Sequence, residues 1–319
     1  MSKMLEGLGW HPLWTTHIGC LQGCAEFMGS EVPVAWLFGA TGHAFVINVH
    51  DRLCPSGPTA WDTRMILELS PNVGIRQTNL FGEVGKDDPR GLRKQAWQMV
   101  RGAIDDGRPC FGWELDIPEF YVIYGYDEEG YFFSGPMCDG GKDPKPWKKL
   151  GDSEIGVLEV YCCEPCQPAS DEATVKQALQ AALRHADDAD GLTFEGYNSG
   201  PRAFEAWRES IEDANELPWG VAYNTEVWSE CRYFAAKFTE MAADRLGSGL
   251  STDLERVSKL YSRVQSSLLE VGEVYPFHGP DENPEVDDGG RRRAVRALTE
   301  AYDAERKAVE VLRGVCDRL

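Results

Sequence analysis

The sequence predicts an α+β chain: a mixed sheet-and-helix domain over residues 1–168, followed by an all-α helical bundle over 169–319. Three observations carry this reading. Up to about Pro168 the chain is rich in glycine, proline and aromatic residues and carries short β-branched and aromatic runs. Beyond Glu164-Pro165-Cys166-Gln167-Pro168, apolar residues recur at helical spacing. The length of 319 residues also suits two domains of about 100–200 residues each.

Taken in order, Thr15 to Gly29 reads as a loop leading into a short helix that begins near Cys20. Strands are expected at Phe45–Val49, Ile66–Leu69, Cys110–Leu115, Phe120–Tyr126, Tyr131–Ser134 and Val157–Tyr161. The clearest hairpin joins Phe120–Tyr126 to Tyr131–Ser134 through Asp127-Glu128-Glu129-Gly130. Between Pro89 and Asp106 a helix is expected: Pro89 opens it, Leu92, Ala96, Met99 and Val100 form one face, and Gly107 closes it.

In the second half, Val175, Ala178, Leu179, Ala182 and Leu183 mark a helix with Ser170 or Asp171 as its cap. Val227, Cys231, Phe234, Phe238 and Met241 mark a second, and Leu250, Leu254, Val257, Tyr261, Val264, Leu268 and Val271 a third. An acidic stretch around 280–290, Asp281 to Gly290, has little to bury and reads as a mobile loop. Val295, Leu298, Tyr302, Glu305, Val309, Leu312 and Cys316 form the fourth stripe. Glu305 is out of character there. Either the stripe rotates slightly and leaves it at the edge, or it is buried against a partner such as Tyr261 or Arg232, since desolvating a lone charge costs several kcal/mol.

Charge narrows the function. Acidic residues number 52 against 32 basic ones, a formal charge of −20 spread over both halves, which argues against nucleic acid or an anionic membrane as partner. No stretch is apolar and long enough to span a bilayer. Met1 to Pro12 lacks the basic-then-apolar pattern of a secretory signal, so a cytoplasmic protein with reduced thiols is expected. Cys162-Cys163-Glu164-Pro165-Cys166 lacks a second cysteine pair for structural zinc, and Gly39-x-x-Gly42 lacks a phosphate-loop lysine, so neither a metal nor a cofactor is expected. Arg291-Arg292-Arg293 reads as local neutralisation of the acidic stretch.

Cys20 is the candidate nucleophile. A cysteine at a helix amino terminus feels the positive end of the macrodipole, which favours the thiolate; the bland reading is that Cys20 and Cys24 face a core. His17, three residues before it, and His43, inside Gly42-His43-Ala44, are candidate bases, with His50 a further one. Trp36, Phe45, Trp113 and Tyr121 are candidate ligand contacts, or simply core aromatics.

The order of these parts resembles the papain-like fold in its bacterial short-chain form. The matching pieces are Cys20 opening a helix, then Tyr121-Val122-Ile123-Tyr124-Gly125-Tyr126-Asp127, then Tyr131-Phe132-Phe133-Ser134-Gly135-Pro136. Within that fold the chain resembles the bacteriocin-processing cysteine peptidase superfamily and the amino-terminal domain of the butirosin-biosynthesis protein H type. The latter is suggested by His17…Cys20 and by Trp36-Leu37-Phe38-Gly39-Ala40-Thr41-Gly42-His43-Ala44-Phe45. The resemblance covers roughly residues 10–165 and implies a cleft with a cysteine, a histidine and an aspartate or asparagine. Where the family has its histidine this chain has Glu119 or Phe120, and where it has the orienting acid it has Ser134; no glutamine precedes Cys20. A carboxylate alone is too weak a base for a thiol. Two functions follow. One is a domain with a degenerate triad that binds a small molecule, a peptide or a carrier-bound acyl group. The other is a thiol acyltransferase or amidase using Cys20 and a relocated histidine.

Overall fold

The computed structural model describes residues 2–84, 88, 90–138, 143–188, 191, 193–247, 249–279 and 282–319. In chain order the elements are β1 (Lys3–Met4), α1 (Thr16–Phe27), α2 (Val34–Ala40), β2 (Asn48–His50), α3 (Arg64–Leu69) and β3 (Ile75–Glu83). Then come α4 (Leu92–Asp105), β4 (Cys110–Trp113), β5 (Phe120–Tyr126), β6 (Gly130–Ser134), β7 (Lys145–Pro146) and β8 (Val157–Pro165). The remainder is α5 (Asp171–Ala186), β9 (Tyr197–Ser199), α6 (Pro201–Glu212), α7 (Pro218–Leu246), α8 (Ser251–Val274) and α9 (Asp288–Cys316). Among the described residues, no helix is long and apolar enough to cross a membrane.

The chain forms two compact units. The sheet unit comprises residues 1–34 and 74–168; the helical unit comprises 35–73 and 169–319. A single boundary at 168, as drawn from composition, therefore leaves out the excursion of 35–73, which folds with the helices.

In the sheet unit, strands run in the order β3-β8-β4-β5-β6-β7, with β1 added to β5, and every pairing is antiparallel. Alternation of side chains along β4 and β8 gives the sheet two buried faces. One carries Phe111 stacked on its register partner Tyr161 at 4.6 Å, and His17 of α1 packs there. The opposite face carries Cys162, whose thiol reaches the Met99 carbonyl of α4. Gly19 and Gly23 let the backbone of residues 9–11 cross α1 closely. A Cβ at Gly23 would lie 1.9 Å from the Gly9 carbonyl oxygen.

Several elements depart from the sequence reading. Ile66–Leu69 is helical: Asp62 Oδ1 accepts from the Arg64 backbone N–H at the entry to α3, and only Ile66 in that run is β-branched. Phe45 closes a 3₁₀ turn, His43–Phe45, opened by Gly42 at φ +79°, and the strand begins only at Asn48. The helix near Cys20 starts four residues earlier, at Thr16. The Pro89–Asp106 helix runs from Leu92; Pro89 lies outside the described residues, and Asp88 supplies the cap through its carboxylate to the Leu92 and Arg93 N–H groups.

In the helical unit α7 packs on α8, α8 on α9 and α6 on α9. Ser170 caps α5, accepting from the Ala173 N–H. Asp281 lies outside the described residues; 282–287 carry no regular element, and Asp287 caps α9. Arg291 and Arg293 bond Glu216 and Glu273. The buried face of α9 sets Ala294, Ala297, Ala301, Ala304 and Ala308 among Leu298, Val309, Leu312 and Val315. Those residues set the inward face, and Glu305 lies within it, 2% exposed. Arg232 of α7 meets it with two bonds, Nε to Oε2 at 2.8 Å and Nη2 to Oε1 at 2.9 Å. Arg232 Nη1 donates to the Ala44 and Val46 carbonyls at 3.1 and 2.7 Å. Burial opposes the guanidinium charge, but Glu305 outweighs it and holds Arg232 above its ordinary range.

Candidate functional site

Cys20 lies one turn inside α1 and is fully buried, not at a helix tip on a groove rim. The macrodipole acts mainly within the first turn, so little of its field reaches the sulfur. Burial pushes the thiol well above its ordinary range, and the negative charge of Glu119 and the neighbouring Cys163 push it further. Cys24 is also buried and raised, chiefly by burial.

His17, on the same helix, is sandwiched among Phe120 at 4.5 Å, Tyr161 at 5.0 Å and Phe111 at 5.1 Å between ring centroids. Burial lowers its pKa to about 3. An imidazole that holds a proton so weakly, beside a thiol that holds its own so firmly, makes a poor base for it. His43 and His50 belong to the helical unit. His43 is 2% exposed with its ring edge against Trp61 at 5.1 Å; His50 Nδ1 accepts from the Arg52 N–H.

The residue at the tip of α1 is Thr16. Its hydroxyl donates to Glu119 Oε2 at 2.5 Å and accepts from the Phe120 N–H at 3.1 Å, tying the helix start to the start of β5. Glu119 is thus engaged by a hydroxyl, a structural joint rather than a thiol–base pair. Ser134 ends β6 opposite Val122. Thr15-Thr16 ahead of an apolar run was the available signal for this helix start.

The four candidate aromatics do not form one cage. Trp113 and Tyr121 belong to the sheet unit: Trp113 meets the Phe120 edge, and Tyr121 donates to the Pro136 carbonyl while its ring meets Phe133. Trp36 and Phe45 belong to the helical unit, where both pack on Phe238 and Arg245 covers Trp36 at 3.8 Å. All four are under 7% exposed, so they serve as core.

The helical unit contains a cavity of about 450 Å³, within the range of ordinary small-ligand sites. Its wall combines Trp61 and Met65 with Asn48, Ser199, Thr193 and His185, flanked by Asp62, Arg64, Glu68, Arg184 and Asp188. His185, near the end of α5, places Nε2 3.1 Å from the Ile47 N–H and 3.0 Å from the Ile47 carbonyl oxygen, so it accepts from one or donates to the other according to its tautomer. Burial first, and then the charge of Arg232, lower its pKa to about 4, so the ring is neutral at physiological pH. Among the described residues Nδ1 has no hydrogen-bond partner. Asn48 is held by its amide, which donates to the Gly57 and Ala60 carbonyls. The indole of Trp61 donates to the Pro58 carbonyl, fixing the ring in the wall. His185 sits in an ordinary-looking amphipathic helix and Trp61 in a proline- and serine-rich stretch.

Among the described residues, no group of three or more His, Cys, Asp or Glu side chains could hold a metal ion. Compared with protein-family models and with curated proteins, the chain matches none.

Proposed function

We propose that this protein is a binding protein on a papain-like scaffold, without cysteine catalysis, and that it holds a small polar molecule in the helical unit's cavity. The observation that carries the reading is the contrast between the two candidate places for chemistry. The thiol expected to react is sealed and raised in pKa. The cavity, by contrast, is roomy enough for a ligand and lined by oriented polar groups around an indole. The Thr16–Glu119 joint fits the same reading, because the position from which a family histidine would serve the thiol is occupied by a carboxylate already bonded to a hydroxyl.

Two measurements test this. Iodoacetamide added to the native protein from pH 6 to 9 should leave Cys20 unmodified over the time in which denatured protein labels fully; fast labelling of Cys20 below pH 7 would restore the enzyme reading. In parallel, a library of metabolite-sized compounds should contain members that shift the NMR signals of the His185 ring and the Trp61 indole saturably.

A further inference from the structure

The cavity wall carries three acidic residues, Asp62, Glu68 and Asp188, against two basic ones, Arg64 and Arg184. Arg64 Nε donates to both Asp62 oxygens, at 3.0 and 2.7 Å, and Glu68 adds its charge to the same guanidinium. Asp188 Oδ1 accepts from the Thr193 N–H and hydroxyl, at 3.3 and 2.8 Å. Arg184 already interacts with the protein, and His185 is neutral. The acidic excess of the wall disfavours an anion, and its engaged guanidinium and carboxylate groups favour a ligand that carries no charge.

The remaining capacity is hydrogen bonding in both senses beside an aromatic plane. The Thr193 hydroxyl proton is spent on Asp188, so the Ser199 hydroxyl donates to Thr193 at 2.8 Å and both oxygens keep lone pairs that accept from a ligand. His185 Nδ1 offers one further position, a donor when Nε2 accepts from the Ile47 N–H and an acceptor when Nε2 donates to the Ile47 carbonyl. Carboxylate oxygens accept from hydroxyl groups without needing a charged partner. Trp61 and Met65 supply an apolar surface. A pyranose or furanose ring has this complement: an apolar C–H face and a rim of hydroxyls that donate and accept at once.

We infer that the cavity takes an uncharged, polyhydroxylated ring ligand of about monosaccharide size, gripped between the Trp61 ring and the His185–Thr193–Ser199 edge. The inference rests on the binding reading above and narrows it to one ligand class. A site of this kind discriminates through hydroxyls, because an analogue lacking one leaves a desolvated protein group unpaired.

The test titrates the full-length protein with glucose, galactose, mannose, ribose and myo-inositol, and separately with arginine, glutamate and inorganic phosphate, following the His185 and Trp61 signals. At least one polyol should saturate with Kd of about 1 mM or tighter, roughly −4 kcal/mol, while the charged probes leave both signals in place. Trp61→Leu should weaken that polyol tenfold or more. Saturation-transfer signals from the polyol in the presence of wild-type protein give the same answer without a variant. Saturable shifts from a charged probe but no polyol would overturn the ligand class while leaving the binding reading intact. If neither set shifts the signals but another library compound does, the class again falls. Silence from every compound sinks both.

Discussion

Glu119 in the sheet unit and Glu305 in the helical unit are both withdrawn from solvent, and their partners differ in kind. Glu119 receives a hydroxyl bond from Thr16. Glu305 receives two guanidinium bonds from Arg232, whose Nη1 is spent on two backbone carbonyls. A hydroxyl lends direction but no neutralising charge, so the first joint is a local tie between a helix start and a strand start. The second is a closed set in which removing either ion leaves the other buried and alone. Burial of an acid near a candidate nucleophile is therefore not evidence of catalysis; what matters is whether its bonding capacity is still open.

The sharpest way to break this comparison is at Glu305. Glu305→Leu should cost about 3–5 kcal/mol, because Arg232 is left charged and unpaired, as read by urea denaturation. Adding Arg232→Met should recover most of that loss, and a double variant as unstable as the single would contradict the closed-set account. Thr16→Val should cost about 1.5–3 kcal/mol, the range for a hydrogen bond to a charged group, with Thr16→Ser costing less. An equal loss from both would mean that packing, not the Glu119 bond, makes the joint.

Acid sensitivity is expected in both units, from one buried histidine in each. His17 has a folded pKa of about 3 and an ordinary value of 6.5. Below pH 6.5 the unfolded chain binds a proton that the folded chain refuses. Its contribution is therefore complete above pH 6.5 and is lost as pH falls toward 3, by about 1.4 kcal/mol per pH unit. At pH 5 that amounts to about 2 kcal/mol, and His17→Leu should flatten this limb in a pH series of denaturant midpoints. His185 acts with the same sign between 6.5 and about 4. Smallest of all, Cys20→Ala should cost about 1 kcal/mol, a modest loss of buried packing; complete unfolding would show a larger role for the sulfur.

Large, regularly spaced residues made much of the architecture legible. Phe120–Tyr126 is a strand over the residues its aromatic and β-branched content marks, and α5, α7, α8 and α9 contain the four expected stripes. Among the elements not expected from sequence, α6 does carry a regular stripe, Phe204, Trp207 and Ile211, whereas β3 lacks that contrast. β3 is an edge strand exposed along most of its length, so Arg76-Gln77-Thr78-Asn79 shows no apolar alternation. On α9 the expected stripe residues Leu298, Glu305, Val309 and Leu312 are buried, and the flanking alanines widen the inward face so that Glu305 lies well within it. At the candidate site, Cys20 and Glu119 were visible as residues, but their roles turn on where α1 begins. A shift of four residues moved the cysteine from tip to interior and put a threonine in its place. Nothing local in sequence links Trp61, His185 and Ser199, which come together only through the fold.

The helical unit's early segment, 35–73, leaves the ribosome well before the helices it packs with. At ordinary rates of synthesis the roughly 160 residues from there to Phe234 take about 8–30 s. During that interval Trp36, Phe38 and Phe45 have no Phe234 or Phe238 to cover them. A nascent chain with this topology carries an uncovered apolar loop through much of its synthesis.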